Sequence, residues 1–220
     1  MNGASTQSDD IVVTAFTPRY RAAYKPVAIT EGGFVDDKRD RGGATKLGVS
    51  LRFLVSEGRI DLDGDGFADF DLDMDGDIDV ADIRALKPID AQYLFQRCFW
   101  NRLQCETWPA PIGEALFDQA VNGGCKAAAR ILQRAINRCL NRRVGYHGRP
   151  AGLREDGDLG PATRAAFDWV LRLPGAGMPE LIDAYREMAK VRYRNIVAAD
   201  PTQARFLNGW LSRADRLGRA

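Results

Sequence analysis

Ten aspartates fall between Asp61 and Asp82, and that many carboxylates in so short a stretch repel one another unless something answers their charge. Their order is regular. In the run Asp71-Leu72-Asp73-Met74-Asp75-Gly76-Asp77-Ile78-Asp79-Val80-Ala81-Asp82, acids stand at positions 1, 3, 5, 9 and 12 of a twelve-residue loop, with glycine at 6 and isoleucine at 8. Calcium takes six to eight oxygens, and alternating aspartates around a sharp glycine turn deliver them. The preceding run repeats the first half with Asp61, Asp63, Asp65 and Asp69 but carries Leu72 where a closing acid belongs. The expectation is a structural Ca2+ held by Asp71, Asp73, Asp75, Asp77, Asp79 and Asp82, with a less complete set at Asp61, Asp63, Asp65 and Asp69. A merely solvated acidic loop, the competing reading, has to tolerate the repulsion with no cation.

Around this insertion, at about 59–82, the pattern is helical. Thr17-Pro18 reads as a cap followed by proline at a first helical position. Tyr20, Ala23, Tyr24, Val27 and Ala28 then give one apolar face, and Gly32-Gly33 stops the helix. The segment Phe34 to Val49 fits a small irregular hairpin, Leu51 to Gly58 a short helix, and Asp90 to Trp100 a further one. From Pro111 on, helices are expected over 112–121, 126–140, 161–173, 179–198 and 202–216. The division this suggests is a lead-in at 1–16, a first lobe at 17–110 and a helical second lobe at 111–220.

Three classes lose ground on composition. No apolar run approaches the roughly 18 to 20 residues of a membrane span, and Met1 to Asp10 lacks the basic and apolar regions of a secretory signal. A chain made in the cytoplasm follows, with export by a partner left open. The four cysteines, Cys98, Cys105, Cys125 and Cys139, show no Cys-x-x-Cys spacing and have only His147 to join them, which argues against zinc. Buried free thiols are expected, at Cys98 and Cys125 in particular. Residues 1–90 hold 11 Lys+Arg against 18 Asp+Glu and residues 91–220 hold 20 against 12, so an acidic half precedes a basic one. The basic half suits an anionic polymer such as the bacterial wall; a solvated helical surface accounts for the same charges without a partner.

Glu31-Gly32-Gly33-Phe34-Val35-Asp36-Asp37, followed by Asp40-Arg41-Gly42-Gly43-Ala44-Thr45-Lys46-Leu47-Gly48-Val49, gathers acids, glycines and a hydroxyl at a helix-to-hairpin junction. Breaking a glycosidic bond takes a protonated carboxyl for the leaving oxygen and usually a second, ionised carboxylate. Glu31 suits the first role, because the negative end of its helix and the nearby acids both disfavour its ionised form.

These strings resemble the signature of the glycoside hydrolase family 108 muramidases, Glu-Gly-Gly-Tyr/Phe-Val-x-Asp followed by Asp-x-Gly-Gly-x-Thr-x-x-Gly-Ile/Val. The resemblance resumes at Asp82-Ile83-Arg84-Ala85-Leu86, Phe99-Trp100, Leu116 to Asn122 and Phe206 to Leu211. It implies a lysozyme-like fold and cleavage of the β-1,4 bond between N-acetylmuramic acid and N-acetylglucosamine, with Glu31 as catalytic acid. Asp40 is the first choice for the carboxylate that positions water and Asp37 the second, while Thr45 places water or sugar. The spacing from Glu31 to Asp40 is similar to that of phage-type lysozymes, although Thr45 comes one residue early. Phe34 and Asn122 are expected to touch substrate, Asn122 having an ordinary helix C-cap as its other reading. Trp100, Trp108 and Tyr146 are aromatics of the kind that stack on sugars but more often fill cores.

The aspartate run resembles EF-hand and dockerin loops. In the second lobe, Ile131-Leu132-Gln133-Arg134-Ala135-Ile136, then Asp156-Gly157-Asp158-Leu159-Gly160-Pro161-Ala162-Thr163, resembles a predicted peptidoglycan domain, although on the residues alone it is a loop-to-helix joint. The expectation is thus a monomeric, mainly α, lysozyme-like peptidoglycan hydrolase of endolysin type. It has a small β-hairpin, a calcium-loop insertion and a helical second lobe, no nucleic-acid partner, and the cell wall in the periplasm as its place of action. A lytic transglycosylase and a non-catalytic calcium-dependent wall-binding module are the alternatives.

Overall fold

The computed structural model describes residues 16–30, 43–61, 64, 66–174 and 177–219. The chain divides into two compact units, Met1–Trp100 and Asn101–Ala220.

In the first unit, helix α1 (Pro18–Thr30) starts as its cap predicts, with the Tyr20 N–H donating to the Thr17 hydroxyl at 3.1 Å. Two short antiparallel strands follow, β1 (Thr45–Lys46) and β2 (Val49–Ser50), paired Thr45 to Ser50 and Lys46 to Val49. Ser50 then caps α2 (Leu51–Glu57) by accepting from the Phe53 N–H. After the aspartate run come α3 (Val80–Ala85) and α4 (Pro88–Phe95), the latter passing into a π-helical turn at Gln96–Asn101.

The core of this unit is aromatic. Tyr20 packs on Trp100 at 5.4 Å, Tyr24 on Phe95 at 5.9 Å, and Phe53 stacks on Phe99 at 5.4 Å. The Tyr20 hydroxyl, buried here, donates to the Gln92 carbonyl and so is not left unpaired. Trp100 is thus a core residue.

The second unit opens with a 3-10 turn at Cys105–Thr107, then α5 (Ile112–Gly123), α6 (Cys125–Asn141), α7 (Pro161–Leu171), α8 (Gly177–Ala199), a 3-10 turn at Pro201–Phe206 and α9 (Leu207–Arg216). Helix α6 packs against α5 and α8, and α9 against α8. The apolar face read from spacing, Ile131, Leu132, Ala135 and Ile136, is wholly buried. Trp108 is core as well, edge-on to Phe167 at 5.0 Å, whereas Tyr146 is exposed. Among the described residues, the mainly helical architecture with a small antiparallel hairpin agrees with the lysozyme-like expectation. Among the described residues, no helix is long and apolar enough to cross a membrane.

None of the four cysteines is in a disulfide; Cys98, Cys105 and Cys139 are buried, whereas Cys125 is half-exposed. Burial, with Glu180 nearby, pushes the Cys139 thiol up to about 11, so it stays protonated and unreactive near neutrality.

The first turn of α8 is tied to the end of α6 by a fork. Arg143 gives Nη1 and Nη2 to the two oxygens of Glu180, and Arg142 adds a third donor at 3.1 Å. Both Arg143 and Glu180 are largely shielded from water. The guanidinium of Arg143 holds the Glu180 carboxyl below its usual range. A carboxylate with a depressed pKa stabilises the fold above its unfolded pKa, about 4.3, and loses that contribution as pH falls through the lower folded value. Glu180→Gln should therefore cost about 1.5–3 kcal/mol at neutral pH, the range for hydrogen bonds to charged groups. The gap between variant and wild type should close in acid below about pH 4. Urea unfolding from pH 7 to 3 checks it, and a gap independent of pH contradicts it.

Candidate functional site

Glu31, Phe34, Asp37 and Asp40 lie outside the described residues, as do Asp63 and Asp65. Thr45 is described: it sits half-buried in β1, its hydroxyl donating to the Gly43 carbonyl at 3.3 Å.

Among the described residues, acids gather in the aspartate run. Asp71 is buried and closes the loop on itself, accepting from the Asp75 N–H at 3.1 Å and the Gly76 N–H at 2.8 Å. Gly76 turns the chain with φ +100°, a conformation that side chains resist. Asp82, also buried, reaches back to accept from Leu72 at 2.6 Å and Asp79 at 2.8 Å. Oxygens of Asp71, Asp73 and Asp82 thereby lie within 4.8 Å of one another. Asp79 caps α3 through the Ala81 N–H, and the Asp75 carboxylate accepts from the Asp77 N–H. The loop is anchored by Phe70 and Ile78, both buried. Asp61 copies Asp71 in the preceding half-repeat, accepting from Gly64 and Gly66.

The electrostatics are those of crowded like charges. Partial desolvation, then the carboxylates of Asp75, Asp82 and Asp71, hold Asp73 above the usual carboxylate range. For Asp77 the Asp75 carboxylate is the largest cause. A divalent cation would relieve this repulsion, and a set of hard carboxylate oxygens is the donor chemistry that calcium takes.

In the second unit the motif Gln133…Asp156-Gly157-Asp158 forms a clamp. Gln133, buried in α6, donates to the Asp156 carboxylate and the Asp158 carbonyl, both at 2.8 Å, and accepts from the Gly157 N–H at 2.8 Å. Thr163 adds a bond to the Asp158 carbonyl at 3.1 Å. The Asp158 N–H and Gln133 hold Asp156 below the usual carboxylate range. The motif therefore ties the loop before α7 onto α6. Beside it lies a cavity of about 460 Å³ lined by Arg102, Lys126, Asp156, Asp158 and Arg164 among others.

Gly157 has φ +84°, and a methyl on it would come within 2.8 Å of Lys126 Cγ and 3.0 Å of the Lys126 carbonyl. Gly157→Ala should cost about 2 kcal/mol or more, from left-handed strain of about 1–2 kcal/mol plus the contact. Urea unfolding at fixed pH measures it; an unchanged midpoint contradicts it.

Asn122 is exposed in the last turn of α5 and donates to the Tyr193 hydroxyl at 2.7 Å, which in turn donates to Gln119 at 3.0 Å. The partners Gln119 and Tyr193 carry no signal of their own in the sequence. Gln119 lies three residues before Asn122 and so on the same helical face, but Tyr193 arrives from α8, some seventy residues away.

Residues 24–124 match the family model Glycosyl hydrolase 108, and residues 127–215 match the Predicted Peptidoglycan domain. The first stretch is thus similar to glycosyl hydrolase 108 domains and the second to peptidoglycan domains. The first match spans the Glu31 signature and the second the Gln133–Asp156 clamp, and together they support an enzyme that acts on peptidoglycan. No curated protein matches the chain. Among solved structures, "Structure of Brucella abortus SagA" is 23% identical, covering 90% of this chain and 91% of that one with a TM-score of 0.62, a likeness of fold.

Proposed function

We propose that the protein is a muramidase cleaving the β-1,4 bond from N-acetylmuramic acid to N-acetylglucosamine, with Glu31 as general acid. The observation that carries this reading is the glycosyl hydrolase 108 match across residues 24–124, which contains Glu31-Gly32-Gly33-Phe34-Val35 with Asp37, Asp40 and Thr45 at their signature positions. Glu31 protonates the leaving oxygen. Asp40, or failing it Asp37, steers a water to the anomeric carbon and balances the oxocarbenium-like charge. Phe34 lies against sugar, and Thr45 and Asn122 place water or sugar. Action on the wall outside the cytoplasm follows from the substrate.

Mass analysis of muropeptides released from purified peptidoglycan tests the reading. Reducing N-acetylmuramic ends support it. Anhydro ends would assign the chain to lytic transglycosylases instead, and no release at all would leave a wall-binding module.

The aspartate loop we infer to be a calcium site of structural purpose. The oxygens of Asp71, Asp73 and Asp82 fit the ion's preference for hard ligands; Asp75, Asp79 and the Asp77 carbonyl complete the loop pattern. The half-repeat from Asp61 to Asp69 is the candidate for a second, weaker site. Bound calcium neutralises the repulsion and so orders the segment between α2 and α3.

A further inference from the structure

Lys126, Arg164, Asp156 and Asp158 share the cavity beside the Gln133 clamp and do not pair across it. That cavity, of about 460 Å³ and open to solvent, is lined only from the second unit, by the start of α6, the loop before α7, Arg164 of α7 and the segment at Arg102 to Gln104. Among the described residues, neither Lys126 nor Arg164 forms an ion pair with either aspartate. Cations and carboxylates in one cleft gain by closing on each other, so a set held apart leaves room for a ligand that carries both signs.

Each side is fixed by neighbours of its own. Arg164 gives Nη2 to the Gln104 carboxamide at 2.8 Å and to the Thr107 hydroxyl at 2.9 Å, and its guanidinium lies over the buried Trp108 ring at 4.2 Å. These partners are all neutral, and Nε and Nη1 have no acceptor among the described residues. Gln104 reaches Arg164 from a backbone at φ +51°, a left-handed conformation uncommon outside glycine. On the acidic side, Gln133 and the Asp158 N–H hold Asp156 through Oδ1 alone, while the Asp158 carboxylate accepts no hydrogen bond among the described residues. The stem of Lys126 lies against Gly157, where a methyl would meet its Cγ at 2.8 Å, so glycine between the two aspartates lets the lysine approach their turn.

The charges say what such a ligand carries. A guanidinium anchored through one nitrogen, with further N–H groups to spare, matches a carboxylate, and Cys125 and Lys126 bring the positive end of α6 to the same cavity. The unpaired carboxylate of Asp158 matches an ammonium. A free amino-acid end, with ammonium and carboxylate on one carbon, offers both. In peptidoglycan that group stands free where the third residue of the stem peptide is a diamino diacid; lysine in its place keeps the ammonium and lacks the carboxylate.

We propose that this cavity binds the free amino-acid end of a diamino diacid, with Arg164 and Lys126 on its carboxylate and Asp158 on its ammonium; that the stem peptide supplies it rests on the peptidoglycan reading given above. Calorimetric titration of the full chain with the sugar-free tripeptide alanyl-glutamyl-diaminopimelate, and with its lysine counterpart, is the test, because neither peptide holds a glycosidic bond. The diaminopimelate form should bind at least about tenfold tighter. Arg164→Gln should erase that difference, and Lys126→Gln, at an exposed side chain, should narrow it without lowering the melting temperature. Asp158→Asn should weaken both peptides alike, since both carry the ammonium. Cys125 reports occupancy: it is half-exposed on the cavity wall while the other three cysteines are buried, so iodoacetamide should label it first and the peptide should slow that labelling. Equal affinity for the two peptides, no binding of either, a preference that survives all three substitutions, or tight binding that leaves the labelling of Cys125 unchanged would reject the site. Turnover is read separately: a chain that cleaves peptidoglycan but ignores both tripeptides rejects the site alone. One that prefers the diamino diacid yet releases no fragments from the wall upholds the site and rejects the hydrolase.

Discussion

Replacing Glu31 by glutamine will lower peptidoglycan turnover by about 10²- to 10⁴-fold, the range a positioned proton donor contributes. The amide keeps the size and polarity of the side chain but has no acidic proton for the leaving oxygen, so binding to insoluble wall and the melting temperature should stay near wild type. Dye-release assays on purified sacculi alongside thermal melts separate the two effects. Retention of more than about a tenth of the activity would remove Glu31 from the acid role, since that loss lies well short of the expected range. Asp40→Asn should be similarly crippling. If Asp37→Asn has that effect and Asp40→Asn does not, the roles of the two aspartates exchange.

Calcium will raise the melting temperature of the chain, and the increment will grow with the free ion. An ion that binds the folded loop and not the unfolded chain adds stability as mass action requires, about 2.7 kcal/mol when the ion stands a hundredfold above its Kd. Asp71 matters most, because its carboxylate both belongs to the oxygen cluster and closes the loop through Asp75 and Gly76. Asp71→Ala with Asp75→Ala should abolish most of the increment. Activity lost in chelator should return on cooling if the ion serves only to order the lobe. An unchanged melting curve with full activity in chelator would sink the calcium site.

Much of the fold was open to reading because it is built from local rules. Thr17-Pro18 and Gly160-Pro161 start helices where a cap and a proline at the first turn say they should. The spacing of Ile131, Leu132, Ala135 and Ile136 marks a buried face that the structure confirms. Boundaries shifted by a few residues where the end of a helix is set by packing. The segment expected as one helix over 202–216 is a 3-10 turn at Pro201–Phe206 followed by α9, because Pro201 and the Asp200 cap set a tighter first turn. The turn of the aspartate loop was legible for the same reason, since Asp71, Gly76 and Asp82, which fold it, all lie within twelve residues.

What the sequence determined by itself was therefore whatever depends on near neighbours in the chain: helix starts, the hairpin, the Asp71–Asp82 loop and the signature around Glu31. Only the tertiary structure decided which distant groups meet. It spent Gln133 on clamping Asp156, Gly157 and Asp158 across some twenty-five residues, and it brought Tyr193 of α8 to Gln119 and Asn122 of α5 and Arg192 to the Gly123 carbonyl. A side chain's partner across such a separation is set by how helices pack and not by spacing along either one.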